Sequence, residues 1–255
     1  MKMKKQLLKI VLIAVGTLNI GFVMALEYRV YSAAGMKIPM IELTQILNQS
    51  NPLAPVVNDF DTAGAAENKF LADKNSACLI TTQSRIERAI QTGALQGHGA
   101  MPLVDTVAGI AFSGPSKPKI SNTPELIQAL QQAKSIAFSD PARGATVGLH
   151  FQEMIKKLGL EKEVMAKAIL AKDGVETMRL VSTKQVELGI TQVSEIIQAD
   201  AATLVGPFPR EFELASRYAL WCKNPADERI QQLINLLKSD RGAQVLTQHG
   251  LRVVK

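Results

Sequence analysis

The sequence predicts an α/β fold of two lobes, and three observations carry the prediction. From Glu27 onward, short β-rich runs alternate with amphipathic stretches. One run, Ala77-Cys78-Leu79-Ile80, is continuously apolar, as strands buried on both faces of a parallel sheet are. The composition also breaks twice, at Gly114-Pro115-Ser116-Lys117-Pro118 and again at Pro207 and Pro209. A chain that leaves one lobe, builds a second and returns crosses twice, and two crossings make a hinge with a cleft. The lobes are expected over 26–113 with 210–255, and over 114–209.

Tyr28 to Ser32 reads as the first strand. Pro39 opens a helix in which Met40, Leu43, Ile46 and Leu47 recur at helical spacing until Asn51-Pro52 stops it. Pro55 to Phe60 is the second strand, Gly64 to Asp73 a helix, Ser76 to Thr81 the buried strand and Ser84 to Gln91 a helix. After a glycine-rich break, Leu103 to Ser113 is a long apolar strand. The second lobe opens with Thr123 as a cap and Pro124 in the first turn of a helix. Strand and helix then alternate: Ser135 to Ser139, Gly144 to Leu158, Ala166 to Leu170, Val175 to Ser182, Glu187 to Thr191 with a short helix behind it, and Thr203 to Gly206. The returning chain gives a strand over Ala215 to Cys222, a helix over Pro225 to Lys238 and a last helix from Ser239 that ends at Gly250.

Charge says less about partners than it first suggests. The 255 residues hold 29 Lys plus Arg against 23 Asp plus Glu, a net charge of +6. Lys2, Lys4, Lys5 and Lys9 precede an apolar stretch, Ile10 to Met24, with a small-residue cleavage site at Val23-Met24-Ala25. About 15 apolar residues fall short of the roughly 20 that span a bilayer, so residues 1–25 are expected to be a cleaved signal peptide. Without those four lysines, 25 basic residues face 23 acidic ones, and neither a nucleic-acid partner nor stable membrane insertion is expected. No Cys follows the apolar stretch, so no lipid anchor is expected, and the mature protein is placed in the periplasm.

Two cysteines exclude a disulfide scaffold and a structural zinc site. Cys78 and Cys222 both fall in buried strands of the first lobe. An oxidising compartment allows a bridge, and two small buried hydrophobes is the alternative.

Catalytic patterns are missing: there is no G-x-S-x-G elbow, no phosphate-binding G-x-x-x-x-G-K-[ST], no G-x-G-x-x-G and no H-E-x-x-H. His98, His150 and His249 are isolated. No catalytic residue, metal ligand or cofactor is therefore expected. What the chain has instead are loops of small and hydroxylated residues at strand ends: Ser32-Ala33-Ala34-Gly35, Asp61-Thr62-Ala63-Gly64, and Ser139 to Gly148 with Arg143, Gly144 and Thr146. Ligands of open α/β sheets sit beyond such strand ends, where helix N-termini favour an anion. Any one loop is also what turn geometry and capping require. Three of them, spread over both lobes, describe an anion cradle. Arg143 can grip a carboxylate with two parallel bonds, or pair with Asp140. Gln192 ends a strand and can donate an amide hydrogen, and Ser194 follows as a ligand contact or a helix cap.

The segments SIAFSDPARGATVGLHFQEMIKKL, ELGITQVSEI and LVGPFP, with the opening YRVYSAAG and FDTAG, resemble the periplasmic substrate-binding proteins of the molybdate-binding-like group. The resemblance spans nearly all of the mature chain. It implies the type 2 periplasmic binding protein fold, closing on a small anion as the soluble, monomeric receptor of an ABC importer. Carried over by position, it places the ligand on Ser32, Ala33, Thr62, Ala63, Gly64, the loop with Arg143, Gly144 and Thr146, and Gln192 and Ser194. True molybdate binders use hydroxyl and backbone donors with no charged contact, whereas here Arg143 stands in the loop and Thr62-Ala63 replaces a hydroxyl-rich pair. A di- or tricarboxylate is therefore expected ahead of molybdate or tungstate. The alternatives are a sensing or scavenging protein that docks on a receptor, and an enzyme on the same fold.

Overall fold

The computed structural model describes residues 27–254; the signal-peptide reading of 1–25 lies outside the described residues. The strands are β1 (Tyr28–Ala33), β2 (Val56–Asp61), β3 (Ser76–Thr82), β4 (Met101–Phe112), β5 (Ile136–Ser139), β6 (Ala168–Ala171), β7 (Leu188–Gln192), β8 (Leu204–Pro207), β9 (Ala215–Cys222) and β10 (Arg252–Val253). The helices are α1 (Lys37–Ser50), α2 (Ala63–Ala72), α3 (Gln83–Gln91), α4 (Thr123–Gln132), α5 (Thr146–Lys157), α6 (Glu161–Met165), α7 (Gly174–Ser182), α8 (Val193–Asp200), α9 (Glu228–Lys238) and α10 (Asp240–Gln248). Each expected strand and helix has its counterpart within a few residues; α6 and β10 are additions.

Strand order along the curled sheet is β2-β1-β3-β9-β4-β7-β5-β6, with β8 and β10 also pairing β4. The long strand β4 is shared. Its first half, Met101 to Val107, pairs antiparallel with β9, and its second half, Ala108 to Phe112, with β7. β1, β2 and β3 run parallel on one side, and β5, β6 and β7 on the other. The molecule is thus two lobes, one on each side of β4.

Period-2 alternation explains why the strands read as continuous apolar runs. On the first side, Val30, Ile80 and Leu220 face α1 and α9, while their neighbours Tyr31, Leu79 and Trp221 face Phe70 and Ile86 of α2 and α3. On the second side, Ile110, Phe138 and Ile190 pack on Leu126 and Phe151, and Ala111 and Ala137 pack on Met178 and Val181. Helix starts are set by side-chain acceptors. Asn122, not Thr123, caps α4: its Oδ1 accepts from Glu125 N at 2.9 Å, and Thr123 takes the first helical position, donating to Glu211. Asp227 caps α9 in the same way, which delays that helix past Pro225.

Cys78 and Cys222 stand opposite each other in the β3–β9 register and form a disulfide. Of the two readings that the sequence allows, the structure takes the bridge.

Candidate functional site

The strand ends on the two sides of β4 face each other, and the loops beyond them meet. Gly64 N donates to Gly144 O at 3.2 Å, the Thr62 hydroxyl donates to Arg143 O, and Gln198 Nε2 donates to Gly35 O at 2.8 Å. The cleft is closed. Between the lobes lies a cavity of about 30 Å³ lined by Ala33, Ala34, Gly35, Thr62, Ala63, Ser139, Ala145, Thr146, Val147, Gly174, Thr191, Gln192, Glu195 and Tyr218. That space suits a group of a few atoms; a tricarboxylate requires the lobes to stand further apart.

Four α-helices begin at this cavity. Thr62 caps α2, with its Oγ1 accepting from Ala65 N at 3.2 Å; Ala145 precedes α5, Gly174 opens α7 and Gln192 precedes α8. The short 3-10 turn Ala34–Met36 that leads into α1 adds a fifth start. Each start leaves first-turn N–H groups without helical partners and carries a partial positive charge. The residues lining the cavity include no Lys or Arg. Negative charge in this space is therefore met by dipoles and hydroxyls alone.

Of the residues singled out from sequence, Ala33, Thr62, Ala63, Thr146 and Gln192 line the cavity. The other five do not. Ser32 is fully buried in β1, its hydroxyl turned to Ala33 O at 3.3 Å, and Ser194 is buried in α8, accepting from Thr106 Oγ1 at 3.3 Å. Gly64 and Gly144 form the backbone contact between the lobes, and Arg85 Nη2 donates to Gly144 O at 3.2 Å beside them.

Arg143 spans the cleft as a latch. Its Nη2 donates to both oxygens of Asp61 at 2.8 and 3.0 Å, and its Nε donates to Lys172 O at 3.0 Å. Its partner is Asp61 rather than Asp140, whose Oδ1 accepts from Ala142 N. Burial pushes the Asp61 carboxyl up, but hydrogen bonds from Arg143, Thr62 N and Lys69 outweigh it and hold it below its ordinary value. The pair therefore contributes fully above the ordinary carboxylate range and is lost as the pH falls through the depressed value. Removing the guanidinium by Arg143→Ala is expected to weaken every ligand by a similar factor, about tenfold, because a latch is lost rather than a ligand contact. Calorimetry with two chemically different anions checks this; a loss confined to carboxylates would place Arg143 on the ligand.

Ser139 lines the cavity from the third of the expected loops, whereas Gly174, Thr191, Glu195 and Tyr218 were not singled out from sequence. Glu195 is 6% exposed, and its Oε2 accepts from the Thr191 hydroxyl and from Gln192 N at 3.2 Å. Desolvation drives its carboxyl up to about 7, against the pull of those two donors and with a further push from Asp173. Tyr218 comes from β9, and burial raises its hydroxyl above the ordinary value. Glu195 thus places a buried acid at the cavity. The three histidines stay away: His98 and His150 bond the backbone carbonyls of Cys222 and Phe212, and His249 approaches Glu42.

Two lobes meeting over a cavity made of helix starts, with β4 shared between them, define the fold of the two-lobed periplasmic binding proteins. Residues 28–252 match the model of the bacterial extracellular solute-binding proteins, and the chain belongs to that family. The fold is that of the Azotobacter vinelandii periplasmic molybdate-binding protein, with a TM-score of 0.70 at 16% identity over 89% of this chain and 100% of that one. It is also that of L-phospholactate-bound PEB3, with a TM-score of 0.64 at 16% identity over 88% and 99%. The resemblance read from the sequence therefore holds. Among curated proteins, an aconitate isomerase of Pseudomonas sp is 25% identical over 197 residues, 76% of this chain and 74% of its own. Among the described residues no helix is long and apolar enough to cross a membrane.

Proposed function

We propose that this protein is a periplasmic receptor that captures one small anionic group between its lobes and presents the closed form to the permease of an ABC importer. The observation that carries the reading is the convergence of four α-helix starts on one inter-lobe cavity with no cationic side chain in its lining. Closure is the mechanism: the ligand touches both lobes only when Gly64 meets Gly144, so binding shifts the population toward that state. The preference for a di- or tricarboxylate rests on Arg143 reaching the ligand. With that guanidinium on Asp61, the site is better matched to a tetrahedral oxyanion or a single carboxylate group. The thermal midpoint of the chain from Leu26 is expected to rise by several degrees with at least one member of a panel of phosphate, sulfate, molybdate, tungstate and short carboxylates. A midpoint that no member moves would sink the anion reading.

A second reading is favoured by one observation. Glu195 is a buried acid at the cavity, titrating near neutrality, which is what proton transfer to a bound ligand requires. A relative carries the name aconitate isomerase. Incubation with one aconitate isomer, followed by NMR, tests it: appearance of the other isomer, abolished in Glu195→Gln, would make the protein an enzyme.

A further inference from the structure

The donors of the cavity come from helix starts and hydroxyls, but the same walls hold two acceptors that find nothing to accept. Gln192 is 3% exposed; its Nε2 donates to Ser216 Oγ at 3.1 Å, and its Oε1 is buried without a hydrogen bond. Glu195 spends Oε2 on Thr191 and Gln192 N, and its Oε1 has no donor among the described residues. Both side chains line the space. The Glu195 carboxyl lies against Gly174, where any side chain would collide with it, so the glycine leaves it the room it occupies.

A carboxylate oxygen left without a donor in an anion site is costly unless the ligand brings a hydrogen to it. From this we infer that Glu195 is the specificity-determining residue of the cleft, selecting anions that carry an O–H, such as hydrogen phosphate or an organic phosphate monoanion, over fully deprotonated oxyanions such as sulfate. The inference rests on the anion reading above and names the ligand class within it.

The physics is a difference between two pairings. A hydrogen-bearing oxyanion donates a hydrogen bond to Glu195 while its other oxygens take helix N–H groups and the hydroxyl of Thr146. Sulfate offers only lone pairs, so against the ionised carboxylate it meets repulsion and an unsatisfied acceptor together. When Glu195 is protonated, its own hydrogen replaces the missing one and the discrimination disappears. The charged and titratable groups facing Glu195 work in one direction: Asp173, before α7, adds negative potential, and Tyr218, from β9, stays neutral because burial raises it. Arg143, which feels Asp173, is held on Asp61.

Isothermal calorimetry with sodium sulfate and sodium phosphate at pH 5.5 and 8.5 tests the inference. A group titrating near 7 gives wild-type protein an affinity for sulfate about thirtyfold lower at the higher pH. Phosphate keeps at least one O–H at both values and is expected to change only about threefold or less on the same linkage argument. In Glu195→Gln, whose amide donates at every pH, the sulfate dependence is expected to flatten, with circular dichroism showing the fold retained. Sulfate binding that ignores pH in the wild type, or keeps its pH dependence in Glu195→Gln, would overturn the role given to Glu195. If neither salt binds, the inference falls; only if molybdate, tungstate and short carboxylates also fail does the anion reading fall with it.

Discussion

One added methyl group at Gly64 is expected to cost the protein most of its ligand affinity while leaving its fold intact. A Cβ there would sit 2.8 Å from Gly144 Cα, 2.9 Å from Arg85 Nη2 and 3.1 Å from Gly144 O, all part of the lobe-to-lobe contact. Backbone on the far side has nowhere to go, because Gly144 itself holds a left-handed φ of +70° that closes the Pro141–Arg143 turn. Arg85 is fixed as well, by Glu67 at 2.8 Å. The lobes must then stop short of the closed position. Overpacking of this kind costs about 1–3 kcal/mol, so Gly64→Ala is expected to bind about tenfold to a hundredfold more weakly.

Stability should move the other way. Gly64 lies in the first turn of α2, and Ala gains up to about 1 kcal/mol over Gly in a helix. The unliganded variant is therefore expected to melt at or above the wild-type midpoint while its ligand-induced shift shrinks. Calorimetric unfolding with and without ligand separates the two effects. Unchanged affinity would show that the ligand is held without the loops meeting.

The order of elements was legible because each obeys a local rule: a continuous apolar run in β3, helical spacing in α1, a stop at Asn51-Pro52. Part of the cavity lining was legible for the same reason, since Thr62 and Ala63 follow a strand end that leads straight into a helix. What escaped was set by distant partners. Arg143 reads locally as a carboxylate grip in a glycine-rich loop, and nothing nearby reveals that Asp61, 82 residues earlier, takes it. Glu195 follows Gln192 by the three residues of a capping motif, so it reads as a helix start. Its wetness or dryness is decided by Gly174 and Tyr218, brought in by α7 and β9. One signal was available: Asp173-Gly174 follows β6 with the same acid-glycine chemistry that marks the other loops.

The second large effect is expected at the disulfide, and its size follows from where the bridge lies in the chain. The first lobe is assembled from two distant segments, one carrying β1 to β3 and the other β9, α9 and α10, with the whole second lobe between them. Cys78 and Cys222 join those segments across a separation of 144 residues. A loop that long, left open in the unfolded chain, costs about 5 kcal/mol to close on chain-entropy grounds, and measured bridges commonly deliver about 2–4. The variant Cys78→Ala with Cys222→Ala is expected to lose about 3–5 kcal/mol of unfolding free energy, a fall of roughly ten degrees in midpoint for a chain of this size. The bridge is buried between β3 and β9, and neither Cys lines the cavity. Ligand affinity should accordingly survive in the variant below its midpoint. Equilibrium urea unfolding with and without a reductant measures the first effect and calorimetry the second. A stability unchanged by reduction would mean that the two segments of the first lobe already find each other in the unfolded chain, and an affinity lost with the bridge would mean that the β3–β9 pair sets the position of the cleft.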